Sequence, residues 1–300
     1  MGFTLEDVRS RTYKARDAWW TVFLVDPLAG RAVVRIANRT SITPNQLTWG
    51  ALVLGLGSAG CFLMQTWAWL IARAVLYHLS FVLDCMDGKI ARLKGTGTVL
   101  GGWLDYVFDR VRVLACTLTL MMGQYEATGQ EFYLLMGVGV VFLDMLRYVD
   151  ALQIAKVRHG MRERLETAIE ESAIDSTPAF MEDLLREDPD LDPDQVRGNV
   201  AELVDLQREF RERFSWYIRL RDWLRDHRIR THLVSGIEFQ MAVFIVGPLI
   251  DQITPVTMAA AALLLVFELA IIYKLWLSSR DFTRALHEIE STVAAPSWTA

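Results

Sequence analysis

Six apolar segments, at about residues 46–65, 67–92, 99–122, 131–155, 236–252 and 255–279, dominate the chain. Each is near the length a helix needs to cross the hydrocarbon core of a bilayer, about 20 residues. With 52% hydrophobic content and ten tryptophans over 300 residues, they exclude an ordinary soluble enzyme. The reading is an all-α integral membrane protein with six transmembrane helices. Residues 64–68, 123–131 and 250–256 contain no Lys or Arg, whereas the alternate ends carry basic residues around 89–94, at Lys156 and Arg158, and at Arg280 and Arg284. The positive-inside rule then places both termini in the cytoplasm. Arginine greatly outnumbers lysine, which points to a GC-rich bacterial source and so to the plasma membrane.

Residues 18–37 are apolar too, but they carry Asp26, Arg31 and Arg35 and are broken by Pro27 and Gly30. A spanning helix would have to bury those charges. An interfacial amphipathic helix, with Trp19, Trp20 and Phe23 in the lipid, would not. The domain organisation follows: a cytoplasmic N-terminus and interfacial helix over 1–45, a membrane domain over 46–156 and 233–279, a helical cytoplasmic insert over 157–232 between the fourth and fifth spans, and a tail over 280–300. Within the insert, residues 162–205 are acidic and read as solvated helices and a loop. EDPDLDPD, residues 187–194, lacks the Gly and terminal Glu of a calcium loop. Residues 207–230 are basic and aromatic, which suits a helix on an anionic membrane surface, or one packed on the rest of the insert. No nucleic-acid-binding motif accompanies the arginines. Cys61, Cys85 and Cys116 all lie in apolar segments and read as buried small side chains.

Against this apolar background, residues 84–109, DCMDGKIARLKGTGTVLGGWLDYVFD, hold four carboxylates. An uncompensated acid in a membrane span costs several kcal/mol, so Asp84, Asp87, Asp105 and Asp109 require partners. On a helix, Asp84 and Asp87 share a face with Gly88, Ala91 and Arg92; Gly101, Asp105 and Asp109 share another. Lys94-Gly-Thr-Gly-Thr98 is a turn that returns the second helix beside the first. Hard oxygen ligands without His or Cys suit Mg²⁺ or Mn²⁺. Two such ions form a clamp for in-line displacement at phosphorus, with Arg92 holding phosphate charge.

The pattern Asp84-x2-Asp87-Gly88-x2-Ala91-Arg92-x8-Gly101-x3-Asp105-x3-Asp109 resembles, with no position missing, the signature of the CDP-alcohol phosphotransferase (CDP-alcohol phosphatidyltransferase) family. The resemblance implies an enzyme that transfers a substituted phosphate group from a CDP-alcohol to an acceptor hydroxyl and releases CMP. It also implies six spans after a helix lying along the membrane, and the usual homodimer. Carried over by position, Asp84, Asp87 and Asp105 would be metal ligands, and Asp109 the general base, also touching the second of two Mg²⁺ or Mn²⁺ ions. Asp84, Gly88, Ala91, Arg92 and Gly101 would line the nucleotide site. The expected role is phospholipid biosynthesis, with phosphatidyl transfer from CDP-diacylglycerol to a polar alcohol first. Transfer from a soluble donor such as CDP-inositol or CDP-ethanolamine is the runner-up.

Outside the motif, Asn45 and Thr48 stand where they would add polar contacts to the nucleotide or simply cap the first span. Arg147 and Glu238 are candidates for the acceptor, with pairing to neighbours as the alternative for Arg147 and a wet membrane edge for Glu238. His78, His159, His227 and His232 show no metal spacing. Two readings of other classes are a divalent-cation transporter, which leaves the Gly-Ala-Arg pattern unexplained, and an inactive scaffold.

Overall fold

The computed structural model describes residues 2–62, 64, 66–171, 179–187 and 203–294, and it is almost wholly helical. The chain forms two compact units, Met1–Arg147 with Arg221–Phe267, and Tyr148–Leu220 with Glu268–Ala300.

In the first unit, α1 (Leu5–Thr12) starts at a capping box: the Asp7 amide donates to the Thr4 hydroxyl, and the Thr4 amide donates to the Asp7 carboxylate. Those bonds from Thr4 hold the Asp7 carboxyl below the usual carboxylate range. A π-helical turn, Thr21–Val25, leads into α2 (Asp26–Arg39), whose Pro27 sits in the first turn where no intrahelical donor is lost. The expectation that charges in this stretch stay in water is corrected at Asp26. It is 3% exposed, with Lys89 Nζ 3.0 Å and Arg228 3.2 Å from its carboxylate. Two cations from distant parts of the chain offset a desolvation cost that residues 18–37 alone could not.

Helix α3 (Pro44–Phe62) opens with reciprocal bonds between Thr43 and Gln46. Ala51, Gly55, Ser58 and Ala59 are buried on it at helical spacing, and α3 packs closely against both α4 (Trp67–Lys94) and α5 (Val99–Thr128). Small residues let the backbones approach, as in membrane helix pairs. Glycines in the left-handed conformation end α4 and α5: Gly95 at φ 65° and Gly129 at φ 69°. Below them, Phe62, Tyr77 and Phe244 stack in the apolar core. Helix α6 (Phe132–Glu171) and, after the insert, a short apolar helix, Gly236–Leu249, interrupted by a π-turn at Ala242–Val246, follow. The last helix is Ile253–Ala294.

Among the described residues, three helices are long and apolar enough to cross a membrane: Trp67–Lys94, Phe132–Glu171 and Ile253–Ser291. Their outward faces carry exposed Val75, Val138, Phe142, Val266 and Leu269, as surfaces meeting lipid tails do. The chain is a multi-pass membrane protein in that sense. Residues 131–155 and 255–279, expected as fourth and sixth spans, lie in helices that run on to Glu171 and Ala294. Polarity changes the solvent a helix meets, not its hydrogen bonding, and neither extension contains a proline or a glycine turn at the membrane edge.

The second unit has its own small core. Leu165 and Ile169 of α6 meet Phe180 and Val204, from two short parallel strands (Ala179–Phe180 and Leu203–Val204), against Phe282, Leu286 and Ile289. Helix Arg208–Arg213 packs its aromatic face inside this unit: Phe210 contacts Phe214 and Tyr217, and Phe214 contacts Tyr273. Glu209 gathers Arg213, Arg280 and Arg284. The first half of the basic segment is thus packed, but against the last helix as well as within the insert. Residues 188–194 of the acidic EDPDLDPD run, and most of SAIDSTPAF, lie outside the described residues.

If Asp26 is what permits Lys89 to be buried, Asp26→Ala strands a buried ammonium. The expected loss is about 3–5 kcal/mol of stability, read as a lower thermal midpoint of the detergent-purified protein. Surface Asp222→Ala should leave the midpoint unchanged.

Candidate active site

The site is built where three helices meet. Helix α4 presents Asp84 and Asp87, the Gly95 turn ends it, and Thr98 caps α5 by accepting from the Gly101 amide at 2.9 Å. Helix α5 then presents Asp105 and Asp109. The close packing runs through α3, which supplies the third wall.

One half of the site is a cavity of about 440 Å³. Asn45 and Thr48 line it from α3, Asp87, Gly88, Ala91 and Arg92 from α4, and Gly101 and Asp105 from α5. Eight of the residues singled out in the sequence thus share one wall. Thr48 Oγ1 donates to Asp87 Oδ2 at 2.5 Å, and Arg92 Nε donates to the Thr12 carbonyl at 3.1 Å, which fixes the guanidinium at the cavity edge. The glycines create the space. A Cβ on Gly101 would stand 2.9 Å from Asn45 Oδ1 and 3.0 Å from Thr98 Oγ1, and one on Gly88 would meet Arg92 at 3.4 Å.

The other half is a buried charge relay. Arg112, 2% exposed, bridges Asp84 Oδ1 at 3.3 Å and Asp109 Oδ1, and donates to Ser80 Oγ at 3.1 Å. Arg110 bridges the second Asp109 oxygen and Asp144. Asp144 also accepts from Gln240 Nε2 at 2.9 Å, and Tyr77 donates to Gln240 at 3.2 Å. Gly55 makes room for this arrangement: a Cβ there would stand 2.5 Å from Arg112 Cδ.

The four motif aspartates lie within electrostatic range of one another, Asp84 feeling Asp87, Asp105 and Asp109. They divide between the two halves, Asp87 and Asp105 on the cavity and Asp84 and Asp109 on Arg112. Among the described residues no three His, Cys, Asp or Glu side chains gather into a finished metal-ligand set. The donor chemistry nevertheless fits hard divalent cations. Asp84, Asp109 and Asp144 are paired with Arg110 and Arg112, whereas Asp87 and Asp105 have no ion pair within 4.0 Å among the described residues, and every donor is oxygen.

Arg147 and Glu238 do not line the cavity. Glu238 is 6% exposed, and its carboxylate accepts from the Ser235 amide in a capping box and from Arg230 at 2.9 Å. Arg147, half-buried, lies one turn beyond Asp144 on α6. The parts that sequence reading underweighted are Arg110, Asp144, Gln240 and Gly55. Arg112 offered a signal, standing three residues after Asp109; Gln240 offered none, being 96 residues from Asp144.

The chain is similar in sequence to several known proteins. Over 82 residues the chain is 38% identical to a bifunctional IPC transferase and DIPP synthase of Thermococcus kodakarensis, covering 25% of this chain and 18% of that one. It is 36% identical over 88 residues to a phosphatidylinositol phosphate synthase of Corynebacterium glutamicum, covering 29% and 37%. With an archaetidylinositol phosphate synthase of Pyrococcus horikoshii it shares 27% identity over 128 residues, 43% of this chain and 66% of the relative. The chain therefore spans well under two thirds of the first two relatives it matches. Residues 41–174, which contain the whole Asp84–Asp109 motif and the cavity around it, match the sequence profile of CDP-alcohol phosphatidyltransferase.

Proposed function

We propose that the protein is a membrane phosphotransferase of phospholipid biosynthesis, moving a substituted phosphate group from a CDP-alcohol to an acceptor hydroxyl with release of CMP. The observation that carries this reading is the shared cavity, lined by Asp87, Gly88, Ala91, Arg92, Gly101 and Asp105 together with Asn45 and Thr48. Its volume of about 440 Å³ suits a nucleotide. Glycines bring backbone close to the ligand, and Arg92 offers a guanidinium to phosphate.

Asp84, Asp87, Asp105 and Asp109 would hold two divalent cations, Mg²⁺ or Mn²⁺, which supply neutralisation of the diphosphate and of the CMP leaving group. Asp109 is the general base. It takes the acceptor hydroxyl proton as the new oxygen–phosphorus bond forms at the β-phosphorus and the bond to the CMP oxygen breaks. Both of its oxygens are engaged by Arg110 and Arg112, and one guanidinium must yield before it can accept a proton. Such a carboxylate is a weak base, which favours proton transfer concerted with attack.

For the donor we favour CDP-diacylglycerol, delivered from the bilayer. The acceptor we favour is inositol phosphate, supported by the names of the phosphatidylinositol phosphate and archaetidylinositol phosphate synthases that the chain resembles. Arg147 would hold the anionic acceptor and Glu238 would support its pocket. A soluble CDP-alcohol donor remains the second reading, supported by the resemblance to two proteins named IPC transferase and DIPP synthase. The arrangement in the membrane is six spans after an interfacial helix, both termini cytoplasmic, in a bacterial plasma membrane. A second copy would cover the apolar groove of Leu118, Met122, Val138 and Phe142. A cation transporter would use the same acids but has no need of the glycine-lined cavity.

The deciding experiment measures CMP release by the purified protein with Mg²⁺ or Mn²⁺, across CDP-diacylglycerol and soluble CDP-alcohols, each with inositol phosphate, glycerol phosphate and serine. CMP from one pair only, abolished by chelator, is the expected outcome; cation flux without any nucleotide dependence would replace this reading by transport. Asp109→Asn should lower turnover by about 10²–10⁴-fold with CDP-alcohol binding retained, and normal turnover would remove the base assignment. Gly101→Ala, whose new methyl meets Asn45, should weaken CDP-alcohol affinity by about tenfold, roughly 1.4 kcal/mol, in equilibrium titration. Unchanged affinity would place the nucleotide outside the cavity.

A further inference from the structure

Away from the motif, the first unit contains a second cavity, of about 490 Å³, between α1, the start of α2 and the chain at Arg228. Arg9, Lys14, Arg31 and Arg228 line it, with Tyr13, and Asp26 is the acid on its wall. Asp26 is already neutralised by Lys89 and Arg228. Ion pairs in this region use Arg11, Lys89 and Arg228, so Arg9, Lys14 and Arg31 have no carboxylate partner among the described residues. Three cations that line one cavity and hold no ion pair among the described residues would be drawn to an anion there.

The cavity is also held in shape. Arg228 has φ 60°, a left-handed conformation that costs a non-glycine residue about 1 kcal/mol or more and persists only where its surroundings enforce it. Its carbonyl accepts from the Asp17 amide at 2.9 Å, and the Arg230 amide donates to the Asp17 carbonyl at 2.9 Å. The guanidinium lies 4.7 Å over the Tyr13 ring and donates to the Lys14 carbonyl at 3.1 Å. Beside the basic wall, the helical stretch that includes Val22 and Pro27 exposes Phe23 (55%), Leu24 (43%) and Leu28 (52%). A basic recess next to an apolar exposed edge is the combination that meets a phosphate and its acyl chains together.

We propose that this cavity binds the phosphate of an anionic phospholipid headgroup, with Phe23, Leu24 and Leu28 against the acyl chains. A free phosphate compound would satisfy the cations but leave that apolar edge unmatched, which is why the lipid is the occupant. The site shares no lining residue with the CDP cavity.

The test titrates the purified full-length chain, in neutral detergent and without nucleotide, with fluorescent short-chain phosphatidylglycerol or phosphatidylcholine. Phosphatidylglycerol should bind the more tightly. Its affinity should fall about fivefold for each of R9Q, K14Q and R31Q, with phosphatidylcholine binding unchanged. These three side chains are exposed and serve no fold contact comparable to Arg228, so the variants should keep the parent thermal midpoint. Equal binding of the two lipids would overturn the proposal, as would full phosphatidylglycerol affinity in the triple variant. Displacement of the lipid by glycerol phosphate at equal concentration would overturn it too, since the acyl chains would then contribute nothing. Because no donor, acceptor or metal enters the assay, its result is independent of the transferase reading.

Discussion

A guanidinium group 2% exposed, between two carboxylates inside a membrane helix bundle, sets the terms for everything around it. Arg112 joins Asp84 on α4 to Asp109 on α5, and through Arg110 the chain of charges continues to Asp144 on α6 and Gln240 beyond the insert. Burying a single one of these charges would be prohibitive; burying them as a connected set is tolerable because each removes the cost of the next. The small residues of α3 follow from the same demand, for without Gly55 the Arg112 stem would have no passage to its partners.

The same arrangement explains how one short motif serves both structure and chemistry. Asp87 and Asp105, together with the glycines, face the cavity, which offers close backbone approach and hard oxygen donors. Asp84 and Asp109 are held back on Arg112. A carboxylate held between guanidinium groups is positioned, and Asp87 and Asp105, with no ion pair among the described residues, leave the cluster ready to accept added positive charge. Positioning of this kind is where binding energy turns into rate, since it removes reorganisation from the reaction itself.

Buried pairs recur at the entry to the bundle. Asp26 and Lys89 meet across 3.0 Å, and Arg228 adds a second cation at 3.2 Å. These contacts tie the N-terminal helices to α4 within the motif, and Arg92, also of the motif, donates to the Thr12 carbonyl. The second unit solves its smaller problem by ordinary means, an apolar cluster around Phe180 and Val204 and an aromatic helix face packed inward.

Periodicity and spacing determined by themselves where the helices lie and which motif residues share a helix face. Hydrophobic runs of bilayer length, the Gly95 turn and the i,i+3 and i,i+4 spacing of the acids are local properties, and a helix obeys local rules. The wall formed by Asp87, Gly88, Ala91, Arg92, Gly101 and Asp105 was legible for that reason. Tertiary structure alone decided the partners. That Asp26 would be buried on Lys89, that Glu238 would cap its own helix and pair with Arg230, and that Gln240 would meet Asp144 all depend on contacts between residues far apart in the chain or on how a helix start is closed. A charge that looks too costly to bury becomes affordable only when a distant segment brings its counter-ion, and that pairing is a property of the packed helices, not of any one of them.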